Sequence, residues 1–257
     1  MNPIYYQPVG DEVEIFRQAY ALRLPLLLKG PTGCGKSRFV EAMAESVKQP
    51  LIHVSCNEDT SASDLMGRYL IKGGETVWID GPVTRAVRSG GILYLDEIAE
   101  AREDVIVVLH SLTDHRREIY LDRTNEKIAA PQSFMLIASF NPGYQSRLKE
   151  LKPSTRQRFL TLAFAYPDKK IESDIVAKES GLDLKMCEKL VELAHKIRNL
   201  AELQLRETVS TRLLIYAAKL IQSGLHPRLA GEAGIVQVLA DEPDTTAALL
   251  DLVNLHF

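Results

Sequence analysis

Residues 30–37 have the sequence Gly30-Pro31-Thr32-Gly33-Cys34-Gly35-Lys36-Ser37, which fits the pattern Gly-x-x-x-x-Gly-Lys-Ser/Thr of a phosphate-binding P-loop. An apolar run over residues 25–28 is typical of a buried strand, and residues 38–47 have helical character. The glycines allow a tight turn that directs backbone N–H groups at phosphate oxygens, and the helix N-terminus adds further donors. The order of strand, loop and helix therefore predicts an α/β fold with a phosphate site.

Two side chains of this loop have specific expected roles. Lys36 should reach the β- and γ-phosphates of a bound nucleotide, and the Ser37 hydroxyl should be a ligand of Mg²⁺. The predicted nucleotide-binding segment covers residues 30–38 and so includes Arg38. Cys34 is expected to fill space in the loop, and sensitivity of its thiol to oxidation is the alternative role.

Composition and charge exclude several other classes of protein. The 257 residues include 31 basic and 34 acidic side chains, giving a net charge of −3 without a run rich in Lys or Arg, which argues against nucleic-acid binding. No apolar stretch has membrane-spanning length, and the N-terminus lacks the pattern of a signal peptide. The three cysteines have no metal-ligand spacing. We therefore expect a cytoplasmic protein without membrane insertion.

The residues on either side of the P-loop unit are less specific. Residues 11–23 have apolar side chains at helical spacing, and the stiff segment 6–10 leads into them. That segment could pack on an adenine ring or could simply connect to the helix. Residues 51–55 are predicted to form a second strand, in which His53 is a structural residue rather than a ligand.

Two stretches of alternating hydrophobicity interrupt the α/β pattern. Residues 69–79 are predicted to form a hairpin with a tight turn at Gly73-Gly74, inside a helical stretch. Residues 115–128 are predicted to form a second hairpin. We interpret the first hairpin as an inserted working loop. The alternative is a structural excursion in which Tyr69 and Trp78 only pack on each other.

Two carboxylates follow the next apolar strand. Residues 91–95 are almost entirely apolar, as in a sheet covered on both faces, and Asp96 and Glu97 come directly after them. Asp96 can join the Mg²⁺ shell, and Glu97 can polarise an attacking water. Their position about 60 residues after the P-loop indicates a Walker B element.

A polar amide follows a further apolar strand. Residues 134–139 form that strand, and Asn141 lies just beyond it, before Pro142. Beside the two carboxylates, the amide can orient the lytic water and sense the γ-phosphate. The alternative is a turn-forming asparagine before proline, and the position at a strand tip favours the functional interpretation.

Two arginines lie near the end of the α/β region. Ser154 or Thr155 is expected to cap a short helix, and residues 161–165 are expected to form the last strand. Arg156 and Arg158 are two residues apart and point in different directions on a helix. One candidate role is an arginine finger that acts on the nucleotide of a neighbouring subunit. The alternative is a surface ion pair.

The composition changes after residue 166, and the rest of the chain has only helical patterns. The predicted domains are a nucleotide-binding α/β domain over residues 1–166 and a small all-α lid domain over residues 167–257. Arg212 begins one of the lid helices and could reach back to the nucleotide. The predicted lid helices cover residues 169–180, 184–200, 210–223, 228–239 and 245–257.

The strands together predict a parallel, doubly wound sheet with its ligand site at the C-terminal strand ends. The carboxylate pair, the strand-tip asparagine, the later arginines and the helical lid select the AAA+ type of P-loop ATPase. The sequence lacks the signature loop of an ABC ATPase, and a small-molecule kinase lacks this ordered set. The residues expected to converge are Lys36, Ser37, Asp96, Glu97 and Asn141.

Over nearly its whole length the chain resembles the MoxR group of AAA+ proteins, which carry two such hairpins. Within this group it is similar to the CbbQ/NirQ/NorQ subfamily, and the matching segments are specific to that subfamily. They are Tyr5-Tyr6-Gln7-Pro8-Val9-Gly10-Asp11-Glu12-Val13, Leu28-Lys29-Gly30-Pro31-Thr32-Gly33-Cys34-Gly35-Lys36, Ser61-Ala62-Ser63-Asp64-Leu65, Asn141-Pro142-Gly143-Tyr144-Gln145-Ser146 and Leu151-Lys152-Pro153-Ser154-Thr155-Arg156-Gln157-Arg158-Phe159.

The resemblance implies roles for the residues already identified. Arg158, before Phe159, matches the arginine finger of MoxR proteins. Arg156 is a second candidate, because Thr-Arg-Gln-Arg-Phe stands where many of them have Leu-Asp-Arg-Phe. The other matches are Lys36 to the Walker A lysine, Ser37 to the Mg²⁺ ligand, Asp96 and Glu97 to the Walker B pair, Asn141 to sensor 1 and Arg212 to sensor 2.

The resemblance also implies a hexameric ring with ATP between subunits, and a partner that carries a von Willebrand A domain with a metal-ion adhesion site. In CbbQ the partner is CbbO, and the complex remodels Rubisco to release inhibitory sugar phosphates. In NorQ and NirQ the partner is NorD, and the client is nitric oxide reductase during maturation. A Rubisco activase motor is our main hypothesis, and the nitric oxide reductase system is the first alternative. An ATP-binding scaffold without turnover and a DNA motor, which the acidic charge disfavours, are alternatives of other classes.

Overall fold

The computed structural model describes residues 3–142, 151–200 and 207–257. Part of one segment that carries the family resemblance, residues 143–146, lies outside the described residues. None of the helices in the described part of the chain is both long enough and apolar enough to cross a membrane.

The chain divides into two compact units. The first lies within residues 1–30 and 36–164, and the second lies within residues 31–35 and 165–257. The second unit therefore includes five residues of the P-loop as well as the C-terminal helices. The predicted domain division at residue 166 stays a proposal about how the chain folds.

The first unit alternates strands with helices from its beginning, as the P-loop pattern predicts. Its two inserted hairpins lie among the later elements. In chain order its elements are α1 (Glu12–Leu22), β1 (Leu26–Lys29), α2 (Lys36–Ser46), β2 (Leu51–Ser55), α3 (Ala62–Met66), β3 (Gly67–Lys72), β4 (Glu75–Asp80), α4 (Pro82–Ser89), β5 (Ile92–Asp96), a 3-10 turn (Ile98–Glu100), α5 (Glu103–Thr113), β6 (Glu118–Leu121), β7 (Glu126–Ala129), β8 (Met135–Phe140), α6 (Pro153–Arg156) and β9 (Leu160–Ala163).

Five of these strands form one parallel sheet in the order β2-β5-β8-β1-β9. Alternate side chains of β1 enter two different apolar cores: Leu26 packs in the core that contains Phe16 and Phe39, whereas Leu27 packs in the core that contains Val105 and Leu109. Helices therefore cover both faces of the sheet, which explains why its central strands are mostly apolar. The predicted parallel, doubly wound sheet is confirmed.

Both predicted hairpins are present as two-stranded antiparallel sheets, β3 with β4 and β6 with β7. The turn between β3 and β4 has φ of 62° at Gly73 and 87° at Gly74, the left-handed conformations of a type I′ turn that favours glycine. Tyr69 and Trp78 are paired across the ladder, with ring centroids 5.2 Å apart. The Tyr69 hydroxyl also donates to the carbonyl oxygen of Arg123, 3.1 Å away.

The cap of the short helix α6 differs from the prediction. The helix begins at Pro153 with Lys152 as its N-cap, so neither Ser154 nor Thr155 is the cap. Proline is favoured at the first helical position because it has no N–H to leave unpaired and its φ already suits a helix. Thr155 is instead buried in the interior of its unit.

Outside residues 31–35, the regular elements of the second unit within residues 165–200 and 207–257 are all helices. Its helices enclose one apolar core, to which Cys187, Leu214, Ile235, Leu249 and Val253 contribute. In chain order the elements are α7 (Lys169–Ser180), α8 (Leu184–Arg198), α9 (Thr211–Gln222), α10 (Pro227–Gly231), a π-helical turn (Glu232–Val236), α11 (Gln237–Leu239) and α12 (Pro243–His256).

One helix of this unit is less regular than predicted. Residues 228–239 were expected to form a single helix, but a π-helical turn separates α10 from α11. Two glycines allow close packing here: a Cβ added at Gly231 would lie 2.9 Å from Val253, and one added at Gly234 would lie 3.2 Å from Ala217. The apolar pattern of the sequence did not predict this wider, π-helical turn.

Candidate functional site

The P-loop lysine is held at the start of α2. Lys36 is only 6 % exposed, and its Nζ donates to the carbonyl oxygen of Gly30 at 2.8 Å. Gly30 itself must be glycine, because an added Cβ would lie 2.5 Å from the carbonyl oxygen of Phe164. Packing of Gly30 against Phe164 thus holds the start of the loop after β1, and the hydrogen bond to Gly30 holds the side chain of Lys36.

Two glycines inside the loop have left-handed backbone conformations. Gly33 has φ of 69° and Gly35 has φ of 100°, which L side chains rarely adopt. At Gly35, an added Cβ would have no atom of the described residues within 4 Å. The open space beside this backbone, together with the helix N-terminus that follows, has the form of a cradle for phosphate oxygens.

The carboxylate of Asp96 lies at the centre of a hydrogen-bonded cluster at the end of β5. It accepts from the Ser37 hydroxyl at 3.3 Å, from the Tyr94 hydroxyl at 2.8 Å, and from the hydroxyl of the fully buried Ser139. Burial by itself raises the pKa of Asp96, but the hydrogen bonds from Ser139 and Tyr94 outweigh it and hold the pKa below its usual value. Asp96 is therefore an anion beside the Ser37 hydroxyl.

Sequence reasoning missed Tyr94 and Ser139 as members of this cluster. Tyr94 precedes Asp96 by two residues on β5, so both side chains lie on the same face of the strand. Ser139 is a polar residue near the end of the apolar strand β8. Polar side chains at the ends of neighbouring apolar strands were the signal that could have identified them.

His53, which the sequence analysis treats as structural, lies close to the same cluster. Its ring stacks on Tyr94 with centroids 4.8 Å apart, and its Nε2 is 3.7 Å from a carboxylate oxygen of Asp96. This position follows from the sheet, because His53 on β2 pairs directly with Tyr94 on β5.

Glu97 has an unusual backbone conformation. Its φ is 53° and its ψ is 48°, in the left-handed region that non-glycine residues rarely occupy. Its N–H donates to the Ser139 hydroxyl at 3.1 Å, and its carboxylate accepts from the backbone N–H of Asn141. Burial raises the pKa of Glu97, and the nearby Lys36 ammonium opposes that rise. Strained conformations of this kind are concentrated at functional sites.

Asn141 lies directly after β8, as predicted, and is 7 % exposed. Its backbone contact with Glu97 places it beside the Walker B carboxylates. The structure thus brings together Lys36, Ser37, Asp96, Glu97 and Asn141 at the carboxyl edge of the sheet.

The two candidate arginine fingers differ in their surroundings. Arg156 is exposed, whereas Arg158 is half-buried, and its Nη1 lies 3.9 Å from a carboxylate oxygen of Asp114 at the end of α5. Within this single chain, Arg158 therefore has the ion pair that the alternative interpretation expected. An action on a neighbouring subunit stays a prediction for both residues.

Arg212 lies in the second unit. It is exposed in the first turn of α9, whose N-cap is Ser210. Gly33 of the P-loop belongs to the same unit, and a Cβ added there would lie 2.6 Å from the Cβ of Ser210. The beginning of the helix that carries Arg212 is thus in contact with the middle of the P-loop.

Two protein-family models match the chain, and solved structures share its fold. The model of the AAA domain (dynein-related subfamily) matches residues 25–159, and the model of the CbbQ/NirQ/NorQ C-terminal region matches residues 172–256. Among solved structures, the chain is similar to a RuvB variant from Thermotoga maritima, with a TM-score of 0.59 and 16% identity over 98% of this chain and 70% of that one. NtrX from Brucella abortus also has a TM-score of 0.59, at 14% identity over 87% of this chain and 52% of that one.

Several relatives are similar over nearly their whole length. NorQ of Paracoccus denitrificans is 56% identical over 98% of this chain and 94% of its own. CbbQ of Hydrogenophilus thermoluteolus is 53% identical over 95% of this chain and 92% of its own. The denitrification regulatory protein NirQ of Pseudomonas aeruginosa is 52% identical over 98% of this chain and 97% of its own.

Proposed function

Because the chain belongs to the CbbQ/NirQ/NorQ family of AAA ATPases, we propose that it couples ATP hydrolysis to the remodelling of a client enzyme. The observation that carries this proposal is the cluster at the carboxyl edge of the sheet, where Ser37, Asp96 and Glu97 lie beside the P-loop lysine. Ligands of parallel sheets bind at this edge.

The residues present fit ATP with a magnesium ion. The glycines provide open backbone next to the helix N-terminus, and Lys36 supplies a positive charge for the β- and γ-phosphates. The Ser37 hydroxyl and the Asp96 carboxylate are oxygen donors of the kind that Mg²⁺ prefers, and they already lie 3.3 Å apart. When bound, the ion would neutralise negative charge on the phosphates.

Glu97 is proposed to orient and activate the attacking water. Its carboxylate is held by the Asn141 backbone and by its own strained conformation, so it needs little reorganisation. The raised pKa brings Glu97 closer to the range in which a carboxylate accepts a proton efficiently. Asn141 is proposed to sense the γ-phosphate and Arg212 to act as sensor 2.

A hexameric ring is proposed as the assembly, with Arg158 or Arg156 as the finger that completes a neighbour's site. An arginine finger stabilises the charge of the phosphoryl transition state, so hydrolysis would depend on assembly. The hairpins β3–β4 and β6–β7 are proposed to transmit the resulting motion to a von Willebrand A partner or to the client. The cytoplasm is the predicted location.

Two clients are proposed. A CbbO-like partner would direct the motor to Rubisco, for release of inhibitory sugar phosphates, whereas a NorD-like partner would direct it to nitric oxide reductase. The relatives support both proposals equally, because identity is 56% to NorQ, 53% to CbbQ and 52% to NirQ. The preference for Rubisco in the sequence analysis gains no support from them.

A trapping experiment separates the two clients. Tagged Glu97→Gln protein is loaded with ATP and incubated in lysate of the native host, and retained proteins are identified by mass. The double variant Lys36→Ala/Glu97→Gln, which should not hold ATP, is the control. Rubisco with a von Willebrand A protein retained only by the single variant would support the activase proposal. Nitric oxide reductase subunits would support the alternative, and equal retention by both variants would contradict ATP-dependent client binding.

A further inference from the structure

A largely buried polar network in the second unit connects the P-loop to the helix that carries Arg212, and the mechanism above gives no role to its members outside the P-loop. At one end, the Tyr166 hydroxyl donates to the carbonyl oxygen of Thr32 at 3.0 Å. Both residues belong to the same compact unit. Burial raises the pKa of Tyr166 to about 12, so the phenol remains protonated and able to donate at neutral pH.

The contact with Thr32 orients the part of the P-loop that would bind phosphate. In a trans peptide the C=O and the following N–H point in opposite directions. A hydrogen bond that holds the carbonyl of Thr32 therefore also fixes the direction of the Gly33 N–H. Phosphate binding in a P-loop depends on such N–H groups, so the orientation of this peptide plane should affect nucleotide affinity.

The Tyr166 ring is itself held by an ion pair. The guanidinium carbon of Arg198 lies 4.1 Å from the ring centroid, an arrangement that favours cation–π attraction. Arg198 forms two hydrogen bonds of 2.7 Å with the carboxylate of Glu172, which is completely buried. Its Nε donates to the carbonyl oxygen of Val209 at 2.7 Å. The planar guanidinium is thereby fixed in one orientation under the ring.

The same carboxylate also holds the beginning of α9. Glu172 accepts from the hydroxyl of Thr211 at 2.6 Å, and Thr211 is the first residue of the helix and the neighbour of Arg212. Gly33 of the P-loop also packs against Ser210, the N-cap of α9, so the P-loop and the start of α9 are in direct contact as well. One end of the network therefore contacts the P-loop, the other end holds the first turn of the helix that carries Arg212, and the buried ion pair of Arg198 and Glu172 lies between them.

We propose that Tyr166 is a positioning residue for nucleotide binding, whose hydroxyl fixes the peptide plane of Thr32 and Gly33 while the ion pair beneath its ring also holds the first turn of α9. The inference rests on the proposed function, since it requires phosphates at the P-loop. It goes beyond that function because it assigns a role to Tyr166, Arg198, Glu172 and Thr211.

The test uses the full chain and removes one hydroxyl at a time. Tyr166→Phe keeps the ring above Arg198 but loses the hydrogen bond to Thr32. Tyr20→Phe is the matched control, because the Tyr20 hydroxyl also donates to a backbone carbonyl, that of Ser133 at 3.2 Å, within the first unit. KM and kcat for ATP, the Kd of a fluorescent ADP analogue and the Tm without nucleotide are measured for each.

The expected result is a rise of about three- to tenfold in both KM and the ADP Kd for Tyr166→Phe, the size expected for one lost neutral hydrogen bond, with kcat changed less than KM. Tyr20→Phe should leave all three constants unchanged. A purely structural role would lower the Tm of Tyr166→Phe and leave its KM and Kd at the wild-type values, and that outcome would overturn the proposal.

A second pair of variants tests the other end of the network. Thr211→Val removes the hydroxyl that donates a hydrogen bond to Glu172, and Thr211→Ser keeps a hydroxyl at this position. We expect Thr211→Val to raise KM in the same direction as Tyr166→Phe, and Thr211→Ser to return it toward wild type. If Thr211→Val does not fold, the comparison of Tyr166→Phe with Tyr20→Phe still tests the proposal.

The measurements also separate failure of this inference from failure of the proposed function. Wild-type protein without ATP turnover would contradict the proposed function itself, whereas normal turnover with unchanged KM and Kd in Tyr166→Phe would contradict only this inference.

Discussion

Two neighbouring carboxylates at the carboxyl edge of the sheet have different surroundings. Asp96 and Glu97 are adjacent in the chain, yet their environments shift their pKa values in opposite directions. Hydrogen bonds from Ser139 and Tyr94 overcome the effect of burial at Asp96, whereas burial dominates at Glu97. The first carboxylate is thereby suited to hold a cation and the second to interact with a proton of water.

Glu97→Gln should separate ATP binding from turnover. The amide keeps the size of the side chain and leaves Ser37 and Asp96 in place, but it cannot accept a proton from water. We expect turnover to fall by orders of magnitude while ATP binding and assembly persist. Phosphate release and binding of a fluorescent ATP analogue measure the two properties, and wild-type turnover by the variant would show that Glu97 does not have this role.

Ser139→Ala should weaken the same site indirectly. The variant removes a donor to Asp96 and an acceptor for the Glu97 N–H in one step. Because hydrogen bonds to charged groups contribute about 1.5–3 kcal/mol each, turnover should fall by about ten- to a hundredfold and need more Mg²⁺. The control is Ser111→Ala, whose hydroxyl only donates to the Val108 carbonyl within α5. Equal activity of the two variants across a Mg²⁺ titration would contradict a role for Ser139.

Among the helices, strands and turns, the sequence predicted those that have a periodic apolar pattern or residues with special backbone requirements. The five sheet strands are short apolar runs, and the hairpin turn at Gly73 and Gly74 requires two residues that tolerate positive φ. The π-helical turn at residues 232–236 was not predicted. Gly234 packs close to Ala217 there, and a contact between two separate helices is not recorded in any local pattern. The hydrogen bonds that link Ser139 to Asp96 and Glu97 likewise depend on the pairing of β8 with β5, which are distant in the chain.

The hairpin β3–β4 should matter for clients but not for the fold. Ile71 is 82 % exposed near its turn, so replacing it loses little buried apolar surface. We expect Ile71→Ser to leave the Tm and the basal ATPase rate unchanged and to reduce the change in rate that partner and client produce. Leu255→Ser, at a residue that is 86 % exposed on α12, is the control. A client response as large in Ile71→Ser as in wild type would show that the hairpin tip does not transmit the motion.

For the whole molecule, the family of the chain is known from its relatives, but the client is not. The chain is about as similar to CbbQ as to NorQ and NirQ over nearly its full length. If the partner selects the client, as proposed, comparison of this chain with its relatives cannot distinguish the two clients. The same reasoning explains why the arginine finger is ambiguous in a single chain: its target would belong to another subunit.

Mixing two inactive variants should identify the finger. Arg158→Ala protein keeps Glu97 but lacks the finger, and Glu97→Gln protein keeps the finger but lacks the water-activating carboxylate. In randomly mixed rings at equal amounts, about a quarter of the interfaces should join an intact Glu97 to an intact Arg158, and turnover should recover to about that share of wild type if the finger acts in trans.

The same mixture with Arg156→Ala in place of Arg158→Ala is the matched comparison. If Arg158 is the finger, Arg156→Ala should retain turnover on its own and need no complementation. If Arg156 is the finger, the pattern reverses, and the ion pair between Arg158 and Asp114 is structural. No recovery in either mixture, with mixed rings demonstrated by mass, would contradict a trans finger at both residues, because complementation requires only that the arginine and the carboxylate of one active interface come from different chains.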